Sequence, residues 1–248
     1  MDFGIIGEGN TDQTIIDSIL QGFCNDKNLN PTWLQPTPDT LGNWDKVFRY
    51  VQSDDFRQAF AQLDFVVVHL DSDVFGSNNI DEKHRINLSQ TNPEETVGLI
   101  RELLIQDIGL QIYEAISNRI IFAIAVDQTE CWLLPIFFPN QKAKAKKTSG
   151  CISTLNEVMN DVHGFYIDTK DIGHYRTMSK PFLKKKDLTK FGEINPSLSI
   201  FLTELEEKTR NLEPEIIDPA PLLQNPLLRS HQTCKIRSGN HHNRRGSK

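Results

Sequence analysis

Residues 63–73 read LDFVVVHLDSD, and this stretch decides the fold. Its continuous run of Phe, Val and Leu predicts a strand that is buried on both faces, which is typical of a parallel sheet. If the strand continues through its acidic end, Asp71 and Asp73 point to the same side and Ser72 points away. Functional residues of parallel sheets gather where strands end, so this end is a candidate site.

Three more apolar segments alternate with amphipathic ones along the first 140 residues. The segments FGIIGEG (3–9), TWLQP (32–36) and RIIFAIAV (119–126) are predicted strands. Helical spacing of apolar residues predicts helices between and after them, at 11–23, 43–62, 93–117 and 129–138. Alternating strands and helices are the pattern of an α/β domain with a parallel sheet, and we assign this domain to residues 1–140.

The remainder of the chain is more polar. Residues 141–213 are predicted to form a basic and mostly helical extension, with helices at 150–162 and 195–212. Residues 214–248 begin with a proline-rich stretch and end in a basic segment without an apolar period, so we predict a disordered tail.

Composition limits the possible partners and compartments. The 248 residues contain 27 Lys and Arg against 33 Asp and Glu, so any contact with nucleic acid depends on local basic patches. No apolar run approaches the roughly 18 residues of a membrane span, and we expect no membrane association. The four cysteines are widely spaced without a CxxC pair, which disfavours a zinc-thiolate site and predicts reduced thiols in the cytoplasm.

The glycines around Glu8 invite comparison with phosphate-binding loops. No lysine follows them, so the loop is not of the P-loop type, and a dinucleotide-binding GxGxxG pattern needs glycine at position 12, where the chain has Asp12. Both phosphate-loop interpretations therefore fail on a required residue. We interpret Gly7 and Gly9 as residues that give Glu8 backbone freedom and leave it open to a substrate.

Acidic residues follow three of the predicted strands. Glu8 follows the first, Asp71 and Asp73 end the third, and Asp127 and Glu130 follow the fourth. Each acid alone also fits an ordinary loop, and Asp127 also fits a helix cap. Together at one sheet edge they would repel one another unless a cation lay between them, and Mg²⁺ prefers such oxygen ligands.

Three segments carry a resemblance to a known fold. IIGEGNTD (5–12), VVVHLDSD (66–73) and IFAIAVDQTECWLLP (121–135) resemble the toprim domain of topoisomerases, bacterial primases and overcoming-lysogenization-defect (OLD) nucleases. The chain is most similar to small bacterial toprim-like proteins related to OLD nucleases, and the resemblance covers roughly residues 3–138. It implies a toprim-like parallel sheet flanked by helices.

The resemblance also implies roles for individual residues. Glu8 matches the toprim glutamate, Asp71 and Asp73 match the metal-binding pair, and Glu130 matches an additional acid of the nuclease branch. Asp12 matches the acid after threonine, where glutamate is commoner. These four residues, Glu8, Asp71, Asp73 and Glu130, are the predicted catalytic and metal-binding set, and the implied cofactor is Mg²⁺ or Mn²⁺.

The function implied by the resemblance is a metal-dependent nuclease that cleaves DNA or RNA. Some relatives act in anti-phage defence, and an ATPase partner protein is one expectation. Two alternatives stay open at this point. One is a phosphohydrolase or phosphotransferase acting on a small phosphoester, and the other is a non-enzymatic interaction subunit of a defence complex.

Basic segments after the acidic sheet are the predicted nucleic-acid contacts. The run KAKAKK (142–147) is one of them, and the lysines predicted to bind in the other run are Lys180, Lys184, Lys185 and Lys186. Tyr175 and Phe182 lie among these lysines and are candidates for base stacking. Two further residues are interpreted structurally: His69 as a neighbour of Asp71 on the strand, and Trp132 as a core residue.

Overall fold

The computed structural model describes residues 1–38, 40–76, 80–167 and 170–210. Within these ranges a four-stranded sheet is formed by β1 (Phe3–Ile6), β2 (Thr32–Gln35), β3 (Phe65–Asp71) and β4 (Ile120–Ala125). The strand order is β2-β1-β3-β4, and every neighbouring pair is parallel. The predicted α/β class, with a parallel sheet flanked by helices, is confirmed.

The apolar runs explain why three of the strands are fully buried. Every residue of β1, β3 and β4 is buried, because these strands lie inside the sheet or under helices on both faces. Phe3 pairs with Phe65, and Val66 pairs with Ile120. β2 is the least buried strand, as its more polar sequence predicts, and it lies at an edge of the sheet.

Helices cover both faces of the sheet. In chain order they are α1 (Asn10–Cys24), α2 (Trp44–Val51), α3 (Asp54–Ala59), α4 (Pro93–Ile108), α5 (Leu110–Ile116), α6 (Leu134–Phe137), α7 (Lys142–Ala145), α8 (Cys151–His163), α9 (Ile172–Ser179), α10 (Lys185–Gly192) and α11 (Pro196–Arg210). None of the helices within the described ranges combines the length and apolarity that crossing a membrane requires.

Two predicted helices are each divided in the structure. The helix predicted at 43–62 is α2 followed by α3, because the Ser53 hydroxyl accepts a hydrogen bond from the Phe56 N–H and starts a new helix. The helix predicted at 93–117 is α4 followed by α5. Gly109 separates them with a φ of 88°, a conformation that glycine adopts readily and that ends α4.

The end of β3 also differs from the prediction. The strand stops at Asp71, and Ser72–Gly76 forms a 3₁₀ turn, so strand alternation does not extend to Asp73. The reason is a set of contacts with the loop after β4. The Asp73 N–H donates to the Asp127 carbonyl at 3.1 Å, and the Asp127 N–H donates to Ser72 Oγ at 2.7 Å.

The described part of the extension after residue 140 packs on the sheet domain and shares its core. Trp132, fully buried as predicted, donates from Nε1 to Ser197 Oγ at 2.9 Å and stacks on Phe201 of α11. In the same core, α9 lies against α1, where Ser18 Oγ and Ser179 Oγ are 2.9 Å apart. The predicted disordered tail (214–248) lies outside the described residues.

Two of the cysteines are joined in the structure. Cys131 and Cys151 form a disulfide that spans 20 residues of sequence, so the prediction of reduced thiols is wrong for this pair. Both residues are buried, whereas Cys24 is a partly exposed free thiol. Sequence spacing gave no signal, because the pair forms only when the turn after β4 meets the first residue of α8.

Reduction of this disulfide is expected to lower the free energy of unfolding by about 3 kcal/mol, because a closed loop of this size restricts the unfolded chain. Urea denaturation with and without dithiothreitol measures the difference. Cys24→Ser is the matched control and is expected to leave the reductant effect unchanged. Coincident denaturation curves would show that the two thiols are not bonded in solution.

Candidate metal centre

Four carboxylates from distant parts of the chain meet at the carboxyl edge of the sheet. Glu8 follows β1, Asp12 lies in the first turn of α1, Asp71 ends β3, and Glu130 follows β4. Burial, and after it the negative charge of Asp71, raises the pKa of each of the other three carboxyls. Three of the four predicted site residues are thus brought together, and Asp12 joins them.

Glu8 is held by the backbone of β3. Its Oε1 accepts a hydrogen bond from the Asp71 N–H at 2.8 Å. Burial raises the pKa of Glu8 well above its usual range, and this hydrogen bond opposes the rise only in part. The loop that carries Glu8 is anchored by Gln13, whose Nε2 donates to the carbonyls of Gln35 and Pro36 at 3.0 Å each.

Asp12 provides the clearest sign that a cation fits here. Its side chain is fully buried, yet neither carboxylate oxygen has a hydrogen-bond partner in the structure. An unpaired buried carboxylate is costly, and a cation removes that cost. Gly9 leaves the approach open, since a Cβ at that position would lie 3.2 Å from Asp12 Oδ2. The oxygen donors of this set fit a hard divalent cation such as Mg²⁺ or Mn²⁺.

Asp71 is oriented by Thr129, in the loop after β4. Its Oδ1 accepts hydrogen bonds from the Thr129 N–H at 2.9 Å and from the Thr129 hydroxyl at 2.7 Å. His69 Nε2 lies 3.2 Å from the same oxygen. One oxygen of Asp71 is therefore occupied by protein donors, and this leaves Oδ2 as its available ligand atom.

His69 lies on the same face of β3 as Asp71, as predicted. Its Nε2 is 2.7 Å from Thr129 Oγ1, and because that hydroxyl donates to Asp71, Nε2 carries the proton. Burial lowers the pKa of His69, but the hydrogen bond and charge of Asp71 outweigh it, and the net pKa lies above its ordinary value. The charge of Asp71 thus favours the protonated form of the imidazole, and burial opposes it.

Glu130 is bound by a residue that the sequence analysis did not connect to it. The Tyr175 hydroxyl, in the first turn of α9, donates to Glu130 Oε1. Burial and the charges of Asp71 and Asp12 raise the pKa of Glu130 to about 7, against the lowering effect of the Tyr175 hydrogen bond. Glu130 therefore exchanges a proton near neutral pH.

Lys170 is the basic residue whose charge reaches the cluster. The charge of Asp12, ahead of those of Glu130, Asp71 and Glu8, raises the pKa of Lys170, which is exposed and forms no ion pair within 4 Å with a described acid. It precedes α9, the same helix that carries Tyr175. No motif in the sequence marked this lysine, because it comes from the extension and not from the strand ends.

Asp73, the fourth predicted residue, lies at the rim. Its side chain is exposed, and its Oδ2 accepts a hydrogen bond from Gln128 Nε2 at 2.9 Å. The prediction that it shares a face with Asp71 is wrong because β3 has already ended. Asp127 is turned away from the cluster: its φ is 67°, and its carboxylate accepts from the Gly150 N–H at 3.1 Å.

The lysines predicted to bind nucleic acid lie at different distances from the acids. Lys185 places its ammonium over the ring of Phe23, near the end of α1. Phe23 lies 11 residues beyond Asp12, roughly 16 Å along the helix axis. Lys180 is closer and lines a cleft beside α1. Lys184 and Lys186 are exposed next to Lys185.

The two rings proposed for base stacking are in the wrong place for that role. Tyr175 and Phe182 are both fully buried, so neither offers a ring face to a base. Both are anchors of α9 and of the turn that follows it, and Tyr175 in addition contacts Glu130. Their spacing among lysines was a misleading signal, because the lysines occupy the opposite, exposed side of the same segment.

Comparisons with protein-family models, with curated proteins and with solved structures find no match to this chain. The site must therefore be judged by its own geometry. Among the described residues, ligand atoms of three His, Cys, Asp or Glu side chains lie within 4.8 Å of one another in one group, Asp127, Cys131 and Cys151, and the acids of the cluster do not meet this distance. The two sulfurs of that group are bonded to each other, so it offers no thiolate, and the carboxylate cluster is the candidate centre.

The cluster predicts an unusual dependence of stability on pH when divalent cations are removed. The folded-state pKa of Glu130, about 7, lies above its ordinary value of 4.5, so between these pH values the folded state holds a proton that the unfolded state has lost. Stability therefore falls as pH rises through this window, on the order of 3 kcal/mol. Thermal unfolding in EDTA is expected to give a higher Tm at pH 5 than at pH 7.5.

Glu130→Gln is the test of the cause, since a neutral amide keeps an acceptor for Tyr175 and has no proton to lose. This variant is expected to have a flatter pH profile and a Tm at pH 7.5 equal to or above that of the wild type. The exposed Glu102→Gln is the matched control and is expected to follow the wild type. A wild-type Tm that rises with pH in EDTA would contradict a buried Glu130 carboxyl with a raised pKa.

Proposed function

We propose that this protein is a metal-dependent nuclease that hydrolyses phosphodiester bonds of DNA or RNA with Mg²⁺ or Mn²⁺. The observation that carries the proposal is the buried, unpartnered carboxylate of Asp12 beside Glu8 and Asp71. Such a group is stable when a divalent cation is present, and phosphoryl chemistry is a common use of carboxylate-bound Mg²⁺.

In this proposal some residues bind the cation, and others orient those ligands. Glu8, Asp12 and Asp71 would hold the cation, which when bound neutralises phosphate charge and lowers the pKa of a water molecule. Thr129 and His69 fix one oxygen of Asp71, and so determine where its other oxygen points. Asp73 at the rim is the ligand nearest to solvent and is available to a second cation.

We assign proton transfer to Glu130. Its pKa of about 7 is suited to a general acid or base at neutral pH, and its hydrogen bond from Tyr175 fixes its orientation. Lys170 brings a positive charge to the same place, where it would stabilise charge that develops on a phosphate. The hydrogen bond of Tyr175 and the charge of Lys170 both come from the segment that includes α9, which makes the extension part of the proposed active site.

The choice of a polymeric substrate rests on the toprim resemblance of the three strand-end segments. The same resemblance supports a role in anti-phage defence and an ATPase partner, and both belong to the proposal, as does the cytoplasmic location inferred from the composition. A small-phosphoester enzyme would use the same acids and ignore polymers. A non-enzymatic subunit would bind the cation without turnover.

Incubation with plasmid, single-stranded DNA and total tRNA, each with Mg²⁺, Mn²⁺ or EDTA, tests the proposal. We expect cleavage of at least one polymer that EDTA abolishes. Glu8→Gln and Asp71→Asn are each expected to lower the rate by about 100-fold or more, because each removes a ligand or its charge. Glu102→Gln, an exposed glutamate on α4, is the matched control and is expected to keep the wild-type rate.

The outcomes separate the candidates. Hydrolysis of a small phosphodiester without cleavage of any polymer would favour the small-molecule enzyme. Cation binding without any hydrolysis would favour the interaction subunit. Cleavage by the purified protein that survives Asp71→Asn would contradict the assignment of this site, and a mock preparation from cells without the protein measures contaminating nuclease.

A further inference from the structure

A cleft of about 450 Å³ lies between α1 and α9, beside the edge strand β2. We call it the α1–α9 cleft. Its lining includes both apolar and charged groups and comes from all three elements: Asp17, Gln21, Trp33, Arg176, Thr177 and Lys180.

The two helices that form the cleft run side by side in the same direction. Ser18 Oγ on α1 is 2.9 Å from Ser179 Oγ on α9. One turn further along, a Cβ on Gly22 would lie 1.8 Å from the Phe182 carbonyl oxygen in the turn that follows α9. This close approach requires glycine and keeps the helices in contact at their carboxyl ends.

Both helices therefore begin at the metal centre. Asp12 is in the first turn of α1, and Tyr175, which contacts Glu130, is in the first turn of α9. Thr14 lines the near end of the cleft, two residues beyond Asp12, roughly 3 Å further along the helix axis and about 200° round it. The cleft therefore lies on the outer side of α1, and a chain bound at the metal centre reaches it by passing over the first turns of α1 and α9.

The chemistry of the cleft suits a nucleotide. Arg176 and Lys180 are exposed, and no described carboxylate lies within 4 Å of either to form an ion pair. Trp33 is partly exposed and contributes an indole to the wall. Asp17 and Gln21, joined by a hydrogen bond of 2.8 Å, present polar groups suited to the edge of a base.

The volume and the arrangement favour a single strand over a duplex. About 450 Å³ is within the usual range of small-ligand pockets, roughly 300–1,000 Å³, and is suited to one nucleotide. Stacking on an aromatic side chain requires an unpaired base, because the faces of a base in a duplex are covered by its neighbours. The positive charges of Arg176 and Lys180 next to the indole of Trp33 match the alternation of phosphate and base in an unpaired strand.

We propose that the α1–α9 cleft binds one nucleotide of a single-stranded nucleic acid, with the base against Trp33 and phosphates at Arg176 and Lys180. The proposal deepens the proposed function, on which its substrate class rests. It makes Lys180 the member of the predicted lysine set that contacts the strand next to the metal centre. It also replaces the buried rings of Tyr175 and Phe182 with Trp33 as the stacking residue.

Binding of a fluorescent single-stranded 12-mer, as DNA and as RNA, tests the cleft by anisotropy in EDTA, where no cleavage occurs. The double variant Arg176→Ala with Lys180→Ala is expected to reduce the slope of log K against log salt by about 1.4, since each phosphate contact of a single strand contributes about 0.7. Trp33→Leu is expected to weaken binding roughly 10-fold or more.

Two controls keep the result interpretable. Arg49→Ala with Lys190→Ala removes the same two charges from other helices and is expected to keep the wild-type slope. Trp33→Phe retains a ring and the packing of β2, so it is expected to restore most of the affinity lost in Trp33→Leu. It should also remove the part of the fluorescence quenching by the 12-mer that Trp33 contributes, because Trp132 is fully buried and the partly exposed Trp44 on α2 does not line the cleft.

Other outcomes overturn the proposal. An unchanged salt slope in the Arg176 and Lys180 variant, or equal affinity of Trp33→Phe and Trp33→Leu, excludes the cleft as the site. Equal affinity for duplex and single strand, or for a mononucleotide and the 12-mer, excludes a strand-binding role. A wild type that binds the 12-mer through the cleft but cleaves nothing would refute the nuclease activity and leave the cleft assignment standing.

Discussion

Glu8, Asp12, Asp71 and Glu130 concentrate negative charge in a part of the protein from which water is excluded. Burial alone raises the pKa of such groups, and their mutual repulsion raises it further. The sheet forces this arrangement, because parallel strands bring all their carboxyl ends to one edge. The free energy of the apolar core therefore holds the acids together, and a cation relieves the cost.

The residues around the acids reduce this cost without removing it. Thr129 and His69 satisfy one oxygen of Asp71, Tyr175 satisfies Glu130, and Lys170 adds a positive charge. Asp12 alone receives no hydrogen bond. The protein thus orients three acids with its own hydrogen-bond donors and leaves Asp12 available to a cation. A buried acid without a hydrogen-bond donor is expected in a cation-binding site, whereas both members of an ordinary buried ion pair have partners.

The sequence predicted the sheet well, because β3 and β4 are apolar runs that only burial on both faces explains. It placed Glu8, Asp71 and Glu130 correctly at one edge, since parallel topology alone determines that position. It failed at Asp73, where a 3₁₀ turn held by long-range hydrogen bonds replaced the strand. Tyr175 could not be predicted, because its contact with Glu130 depends on how a helix 45 residues away in sequence packs.

Calorimetric titration with Mn²⁺ at pH 7, repeated in buffers of different ionisation enthalpy, tests the central claim most directly. We predict binding at the cluster with release of protons, because carboxyls with raised pKa must ionise to bind a cation. Asp12→Asn should weaken this binding strongly, while Glu102→Gln should not change it. Binding that is unaffected by Asp12→Asn, or that releases no protons, would contradict a metal centre built on these buried acids.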